Sequence, residues 1–151
     1  MLFSLLGSLL GLMSILSSNG ETLFIGPQFF ETVASERDVV IVKRVAEAWV
    51  SLIDREAYDE SWDRTAEVFK TRVKKEQWIE DLKANRRPLG KVSSRKLQTA
   101  VYVSDLPDSP RGEYVLLHYE VAFETDVPIR EIIIPYLAAD GVWRVAGYSL
   151  K

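Results

Sequence analysis

The longest strand pattern in the sequence covers residues 112–125, and it limits the possible folds more than any other feature. Polar residues, including His118 and Glu120, occupy one side of the pattern. The other side is apolar and consists of Val115, Leu117, Tyr119, Val121 and Phe123. Because successive strand residues point to opposite faces, the stretch predicts a strand with one buried face. His118, the only histidine, is then expected to face away from the core.

Three helical patterns precede this strand. The first covers residues 36–55, and its apolar stripe is broad enough to require cover on more than one side. The third covers residues 75–85 and ends before Pro88 and Gly90. The second pattern is a single helical face made of Tyr58, Trp62, Ala66, Phe69 and Val73.

The hydrophobic pattern changes from the helical to the strand period after residue 91. Four strands are predicted over residues 92–103, 113–125, 129–138 and 142–150, and Asp140-Gly141 is a strong two-residue hairpin signal. Short connections between successive strands favour an antiparallel meander. Helices followed by strands indicate an α+β fold. We therefore predict one domain, residues 36–151, with three helices packed on a curved four-stranded antiparallel sheet.

The third predicted strand is apolar on both faces over Ile132, Ile133 and Ile134. Either it is central and covered on both sides, or its outer face is a contact surface. The second possibility predicts a homodimer through the outer face of the sheet. Pro135 cannot donate a hydrogen bond to a neighbouring strand, so a bulge is expected there.

The N-terminal segment, residues 1–20, carries no charged side chain and ends in Ser17-Ser18-Asn19-Gly20. Its length suits a secretory signal better than a membrane span, and this predicts a periplasmic or secreted protein. It lacks the Lys or Arg that usually precedes the apolar run. An uncleaved anchor, which would make the protein membrane-associated, or a segment packed on the domain remain the alternatives. Residues 21–35 are read as a connecting segment.

Composition excludes several classes of function. The net charge of −3 and the dispersed basic residues argue against nucleic acid as a partner. The absence of cysteine excludes disulfides, thiolate metal sites and a cysteine nucleophile. With one histidine and no calcium-loop motif, the sequence predicts neither a metal site nor a cofactor.

Arg95 is the most informative charged residue. Strand alternation places it on a mostly apolar face with Leu97, Thr99, Val101 and Val103. A guanidinium at the edge of a core requires a partner. That partner is either an Asp or Glu from a helix, or a carboxylate or phosphate on a ligand. Arg86 and Arg87 are candidates for the same rim.

Glu131 and Tyr148 are further candidates for ligand contacts. A two-residue hairpin at Asp140-Gly141 places Ile133 opposite Tyr148 and Glu131 opposite Leu150, on one face with Arg144. The other face would then form the interior and consists of Ile132, Ile134, Tyr136, Trp143 and Val145. A bulge at Pro135 would reverse part of this assignment.

The four tryptophans permit two interpretations. Helical and strand spacing explains all of them as core residues, and convergence would instead form an aromatic lining for a small apolar ligand. They are Trp49, Trp62, Trp78 and Trp143.

The order of these elements resembles the nuclear transport factor 2-like group, a cone-shaped α+β fold of the cystatin-like class. Short motifs between residues 45 and 150 also resemble an uncharacterised bacterial domain family of small exported proteins. These motifs are Ser61-Trp62, Gln77-Trp78, Arg87-Pro88-Leu89-Gly90, Ser94-Arg95, Gly112-Glu113-Tyr114 and Asp140-Gly141-x-Trp143-Arg144-x-x-Gly147-Tyr148.

The resemblance implies a fold and a tendency to export, and it implies no reaction. Enzymes on this scaffold place an Asp, His or Tyr acid or base inside the cone, whereas His118 is expected outside. We therefore expect a non-catalytic exported domain that binds a small molecule or a protein. The alternative is a cofactor-free lyase or isomerase acting on a small hydrophobic substrate.

Overall fold

A computed structural model describes residues 14–16, 22–24, 36–124 and 127–151 of the chain. Two short strands, β1 (Ser14–Leu16) and β2 (Thr22–Phe24), pair antiparallel near the N-terminus. The rest of the predicted signal and connecting segments lies outside the described residues. The predicted export and its cleavage site stay predictions.

The main sheet is an antiparallel meander of four strands in the order β3-β4-β5-β6. Its strands are β3 (Val92–Val103), β4 (Tyr114–Phe123), β5 (Pro128–Leu137) and β6 (Trp143–Leu150). Their bounds lie within two residues of the predicted ones. The α+β class and the meander are confirmed.

The helical part has more pieces than the three predicted helices. It comprises α1 (Glu36–Asp54), α2 (Tyr58–Asp63), α3 (Glu67–Lys70), α4 (Lys75–Asn85) and a 3₁₀ turn (Arg87–Leu89). The second predicted helix divides at Ala66, whose ψ of 150° is extended. The amide of Ala66 donates to the Val145 carbonyl of β6 at 2.8 Å, so a bond to the sheet edge replaces a helical one.

The main core lies between α1, α4 and one face of the sheet, called here the inner face. The odd-numbered residues of β4 from Val115 to Phe123 are at most 1% exposed, as alternation predicts. At the N-terminal part of α1, Val40 and Ile41 are 47% and 52% exposed. The expectation that α1 is covered on more than one side is therefore wrong there. No helix among the described residues has the length and apolarity to cross a membrane.

A bulge in β3 changes which residues share a face with Arg95. Leu97 pairs with Tyr119 and Thr99 pairs with His118, so Gln98 is an extra residue. A bulge reverses the alternation beyond it. Arg95 and Leu97 keep the predicted inner face, whereas Ala100 and Tyr102 replace Thr99, Val101 and Val103. That part of the prediction is wrong.

The connection from β5 to β6 departs from the predicted hairpin in two compensating ways. Leu137 pairs with Trp143, and the amide of Ala138 donates to Val142, which leaves three residues in the loop. Gly141 has the positive φ of 76° that such loops favour. The expected irregularity at Pro135 is present and makes Ala146 an extra residue of β6.

These two departures cancel beyond the bulge. Ile133 lies opposite Tyr148 and Glu131 opposite Leu150, as predicted. The side assigned to the interior was nevertheless wrong for most residues. Ile133 and Tyr148 belong to the main core, together with Val145, whereas Ile132, Ile134 and Tyr136 lie on the other, outer face.

A second, smaller apolar cluster covers part of the outer face. It contains Ala66, Tyr114, Ile132, Ile134 and Ala146, bordered by Val68, Leu106, Leu116 and Tyr136. Ile132 and Ile134 are only 3% and 7% exposed. Contacts within the chain therefore explain why this part of β5 is apolar on both faces.

We expect Leu117→Ala to lower the free energy of unfolding by about 2–5 kcal/mol, because Leu117 is fully buried and truncation leaves a cavity. Leu116→Ala is the matched control, since Leu116 is adjacent in sequence but only partly buried and faces outward. Urea unfolding measures both changes. An equal loss for the two variants would contradict the assignment of the faces.

Candidate functional site

A group of charged and polar side chains crosses one end of the main core. We call this group the ionic cluster, and its members are Asp54, Arg86, Arg95, Glu131 and Tyr148. Three secondary-structure elements meet at Arg95, which lies on β3. There the guanidinium bridges Asp54 at the end of α1 and Glu131 on β5.

Arg95 uses each of its three nitrogen atoms on these two carboxylates. Nε donates to Glu131 Oε2 at 2.6 Å, and Nη1 donates to Asp54 Oδ2 at 2.7 Å. Nη2 donates to Asp54 Oδ1 at 2.9 Å and to Glu131 Oε1 at 3.3 Å. Such multidentate, charge-assisted bonds are the strong ones in proteins. The partner of Arg95 is thus the protein itself.

The way α1 ends places Asp54 at this site. The amide of Glu56 donates to Ile53 O and that of Ala57 to Leu52 O, which is the hydrogen-bond pattern of a Schellman motif. Glu56 occupies the left-handed position with φ of 61°, where glycine is usual. The helix therefore stops directly after Asp54, with this carboxylate beside the sheet. A helical acid was one of the two partners that the sequence left open for Arg95, and the sequence did not single out Asp54.

Glu131 is the most deeply buried acid of the described chain, with no exposed surface. Besides Arg95, it accepts a hydrogen bond of 2.9 Å from the Tyr148 hydroxyl. Alternation on β5 and the register with β6 bring both side chains to the inner face. Buried carboxylates require such partners.

The two adjacent arginines at the end of α4 have different roles. Arg86 is 3% exposed, donates to Asp54 Oδ1 at 3.0 Å and to Gly90 O at 2.9 Å, and lies over the Phe123 ring. Arg87 is exposed and pairs with Glu56 at 3.3 Å. Only Arg86 joins the ionic cluster, and Arg87 remains at the surface.

The ionic cluster is balanced in charge, with two guanidinium groups and two carboxylates. Burial opposes the charge of Arg95, but its hydrogen bonds to Asp54 and Glu131 raise its pKa above the usual value. Burial, followed by the negative charge of Glu131, raises the pKa of Tyr148. Arg95 therefore stays protonated and Tyr148 stays neutral at physiological pH.

Tyr119 brings one more hydroxyl to the inner face. Its oxygen is buried and has no hydrogen-bond partner among the described residues. Burial raises its pKa, and the negative charges of Glu47 and Glu131 act in the same direction. The alternation of β4 predicted that Tyr119 points inward, but it was interpreted there only as a core residue.

Two of the four tryptophans converge beside the ionic cluster. The rings of Trp49 and Trp78 lie 5.6 Å and 6.0 Å from the Tyr148 ring. Both indoles also donate to the fully buried Ser61, at 2.8 Å to its carbonyl and 2.9 Å to its hydroxyl. These two hydrogen bonds to Ser61 hold both indole rings against Tyr148.

The other two tryptophans lie elsewhere. Trp62 donates to Val73 O at 2.9 Å and has the ammonium groups of Lys70 and Lys75 over its ring. Trp143 packs against Tyr102 with ring centroids 6.2 Å apart. The structure therefore does not form one aromatic lining from all four.

His118 lies on the outer face, as predicted, opposite Thr99 and Ile132. It is remote from the face that carries the ionic cluster. Within the described parts of the chain, no group of three or more His, Asp or Glu side chains is placed to hold a metal ion. The inner face thus presents paired charges, two tyrosine hydroxyls and aromatic rings.

We expect Glu131→Leu to destabilise the protein by about 3–5 kcal/mol, because it leaves Arg95 buried without one of its partners. The double variant Arg95→Leu/Glu131→Leu should lose much less than the sum of the single losses, since Arg86 and Asp54 remain as a balanced pair. A double-mutant cycle measured by urea unfolding gives this coupling.

The exposed pair Arg87–Glu56 is the control for this cycle. Its coupling should be below about 1 kcal/mol, because exposed ion pairs contribute little. Additive losses at Arg95 and Glu131 would show that the two side chains do not form the pair described.

Comparison with known proteins identifies the family. The family described as "Protein of unknown function (DUF4019)" matches residues 45–148, which include every member of the ionic cluster. No curated protein and no solved structure matches the chain. Since the match covers more than half of the 151 residues, the chain belongs to this family of proteins of unknown function, DUF4019.

Proposed function

We propose that the protein is an exported, non-catalytic domain that binds a small molecule or another protein. One observation carries the proposal: the charges on the inner face neutralise each other. Arg95 uses all three nitrogen atoms on Asp54 and Glu131, and Glu131 accepts a further bond from Tyr148. A general acid or base must be free to exchange a proton with a substrate. These groups are instead held by one another.

We also propose that the fold is the nuclear transport factor 2-like cone. The helices packed on one face of a four-stranded meander support this assignment. Tyr102 on β3 and Trp143 on β6 add a second argument, because these two strands form opposite edges of the sheet. Their rings nevertheless meet at 6.2 Å over the inner face, as expected of a strongly curved sheet.

A cofactor-free lyase or isomerase is the second candidate, and Tyr119 is the observation that favours it. Its buried hydroxyl lacks a described partner and lies in the field of Glu131 and Arg95. Buried polar groups without partners are uncommon and can mark functional sites. This function requires an internal cavity of at least about 300 Å³ that a substrate can enter.

Xenon binding distinguishes the two candidates. Because xenon enters dry apolar cavities, we expect no saturable change in the methyl NMR signals of Ile133 and Val121 in the natural protein. The measurement is a series of methyl spectra recorded under increasing xenon pressure. Saturable shifts at these methyl groups would instead reveal a cavity beside Tyr119 and support the enzyme.

The Leu117→Ala variant is the positive control for this experiment. It removes a fully buried side chain from the same face and should acquire a xenon site. A response in this variant shows that the method detects a cavity at this position.

The apolar, uncharged residues 1–20 support export. We expect the mature protein to begin near residue 21 when the full sequence is expressed in a bacterium, as N-terminal sequencing of the secreted or periplasmic fraction would show. Replacing Leu9 and Leu10 with arginine should block export, because charge interrupts the apolar run. An intact Met1 in the membrane fraction would show instead that the segment is a retained anchor.

The homodimer through the outer face stays a prediction. The second apolar cluster already buries Ile132 and Ile134, which reduces the apolar surface that suggested it.

A further inference from the structure

A groove of about 660 Å³ lies on the side of the sheet that faces away from the ionic cluster. Residues of β3, β4 and β5 line it, together with Lys151, which directly follows β6. The residues that matter here are Gln98, Thr99, His118, Glu120, Arg130 and Lys151.

Two cations stand side by side in this groove. Arg130 and Lys151 exchange backbone hydrogen bonds of 3.0 Å and 2.8 Å, which makes them directly opposed residues at the end of the β5–β6 pair. Side chains of directly opposed residues lie on the same face of the sheet. Like charges in that arrangement are destabilising.

Neither cation has a described partner that relieves this repulsion. Within residues 38–124 and 127–151, Arg130 and Lys151 form no ion pair and no side-chain hydrogen bond. Glu120 lies opposite Arg130 and is the one acid among the described lining residues, but the two side chains do not form an ion pair. The side chains that line the groove therefore carry two positive charges against one negative charge, in contrast to the balanced ionic cluster.

His118 reports this positive charge. Its pKa is lowered first by burial and then by the charges of Arg130 and Lys151, which line the same groove. The other groups around it are Glu120 on its own strand and the uncharged Thr99 and Gln98 on β3. An anion between the cations would remove their effect and favour protonation of His118.

We propose that this groove binds a small anionic ligand through a carboxylate, sulfate or phosphate group. The Arg130 guanidinium and the Lys151 ammonium contact the anion, and Gln98 and Thr99 supply neutral hydrogen-bonding groups. The inference rests on the proposed binding function and names the class of ligand. Two facing copies of the chain would instead bring the same cations together, which disfavours a homodimer at this groove.

Proton linkage predicts the direction in which stability and anion affinity change with pH. The lowered pKa means that the unfolded chain binds this proton more readily than the folded one, so folding stability falls as the pH drops below about 6.5. A bound anion raises the His118 pKa and reduces this loss. By reciprocity, the anion binds more tightly at low pH, and each unit of pKa increase corresponds to about a tenfold gain in affinity.

The single histidine makes this directly measurable. The untagged full chain has one imidazole C2–H signal in its NMR spectrum. Sodium sulfate is the probe, since sulfate does not titrate near neutral pH, and sodium chloride at equal ionic strength corrects for screening. We expect a saturable shift with sulfate alone, a raised His118 pKa, and tighter binding at pH 6 than at pH 8. Succinate and inorganic phosphate, compared at one pH, distinguish a carboxylate ligand from a phosphate ligand.

The variant Arg130→Gln/Lys151→Gln should abolish the saturable shift and keep His118 as reporter. Lys96→Gln is the matched control, because it removes a cation from the outer face of β3 that does not line the groove. Equal shifts with sulfate and chloride, or saturation that survives the double variant, would overturn the proposal. The proposal would also be overturned if multi-angle light scattering showed a dimer and the imidazole signal of that dimer did not shift with sulfate. The xenon experiment is independent of these results and tests the non-catalytic interior separately.

Discussion

The bridge that Arg95 makes between Asp54 and Glu131 is the interaction on which the domain depends. It joins the end of α1, the edge strand β3 and the central strand β5, which are distant in sequence. Glu131 has no exposed surface, and Arg95 and Tyr148 supply the hydrogen bonds that a buried carboxylate requires. Desolvation offsets much of the attraction in a buried ion pair, whereas removal of one partner leaves an uncompensated buried charge.

The surrounding structure holds this bridge in position. The Schellman motif ends α1 at Asp54, with Glu56 in a backbone conformation that glycine adopts more easily. Ser61 fixes the indoles of Trp49 and Trp78, and these rings pack on Tyr148. A polar contact and an aromatic contact therefore position the same tyrosine. This arrangement leaves little freedom for the hydroxyl that donates to Glu131.

The two faces of the sheet differ in how their charged side chains are paired. On the inner face, two guanidinium groups pair with two carboxylates. On the outer face, Arg130 and Lys151 stand together beside a half-buried imidazole, and neither forms an ion pair with a described residue. In the proposed function, the inner face stabilises the domain and the outer face binds the anion.

Local sequence patterns determined most of the architecture. The alternation in β4 was enough to predict that its odd-numbered residues are buried and that His118 lies outside, because successive side chains of a regular strand point to opposite faces. The same rule put Arg95 on the inner face.

Only the tertiary structure decided where these regular strand and helix patterns are interrupted. The bulges at Gln98 and Ala146 reverse alternation within a strand, and the bond from Ala66 to Val145 interrupts a helical pattern. It also decided that Arg95 meets Asp54 and Glu131, since an ion pair between residues 41 and 36 positions apart depends on how the helices dock on the sheet. Periodicity describes one element at a time, and these contacts exist only between elements.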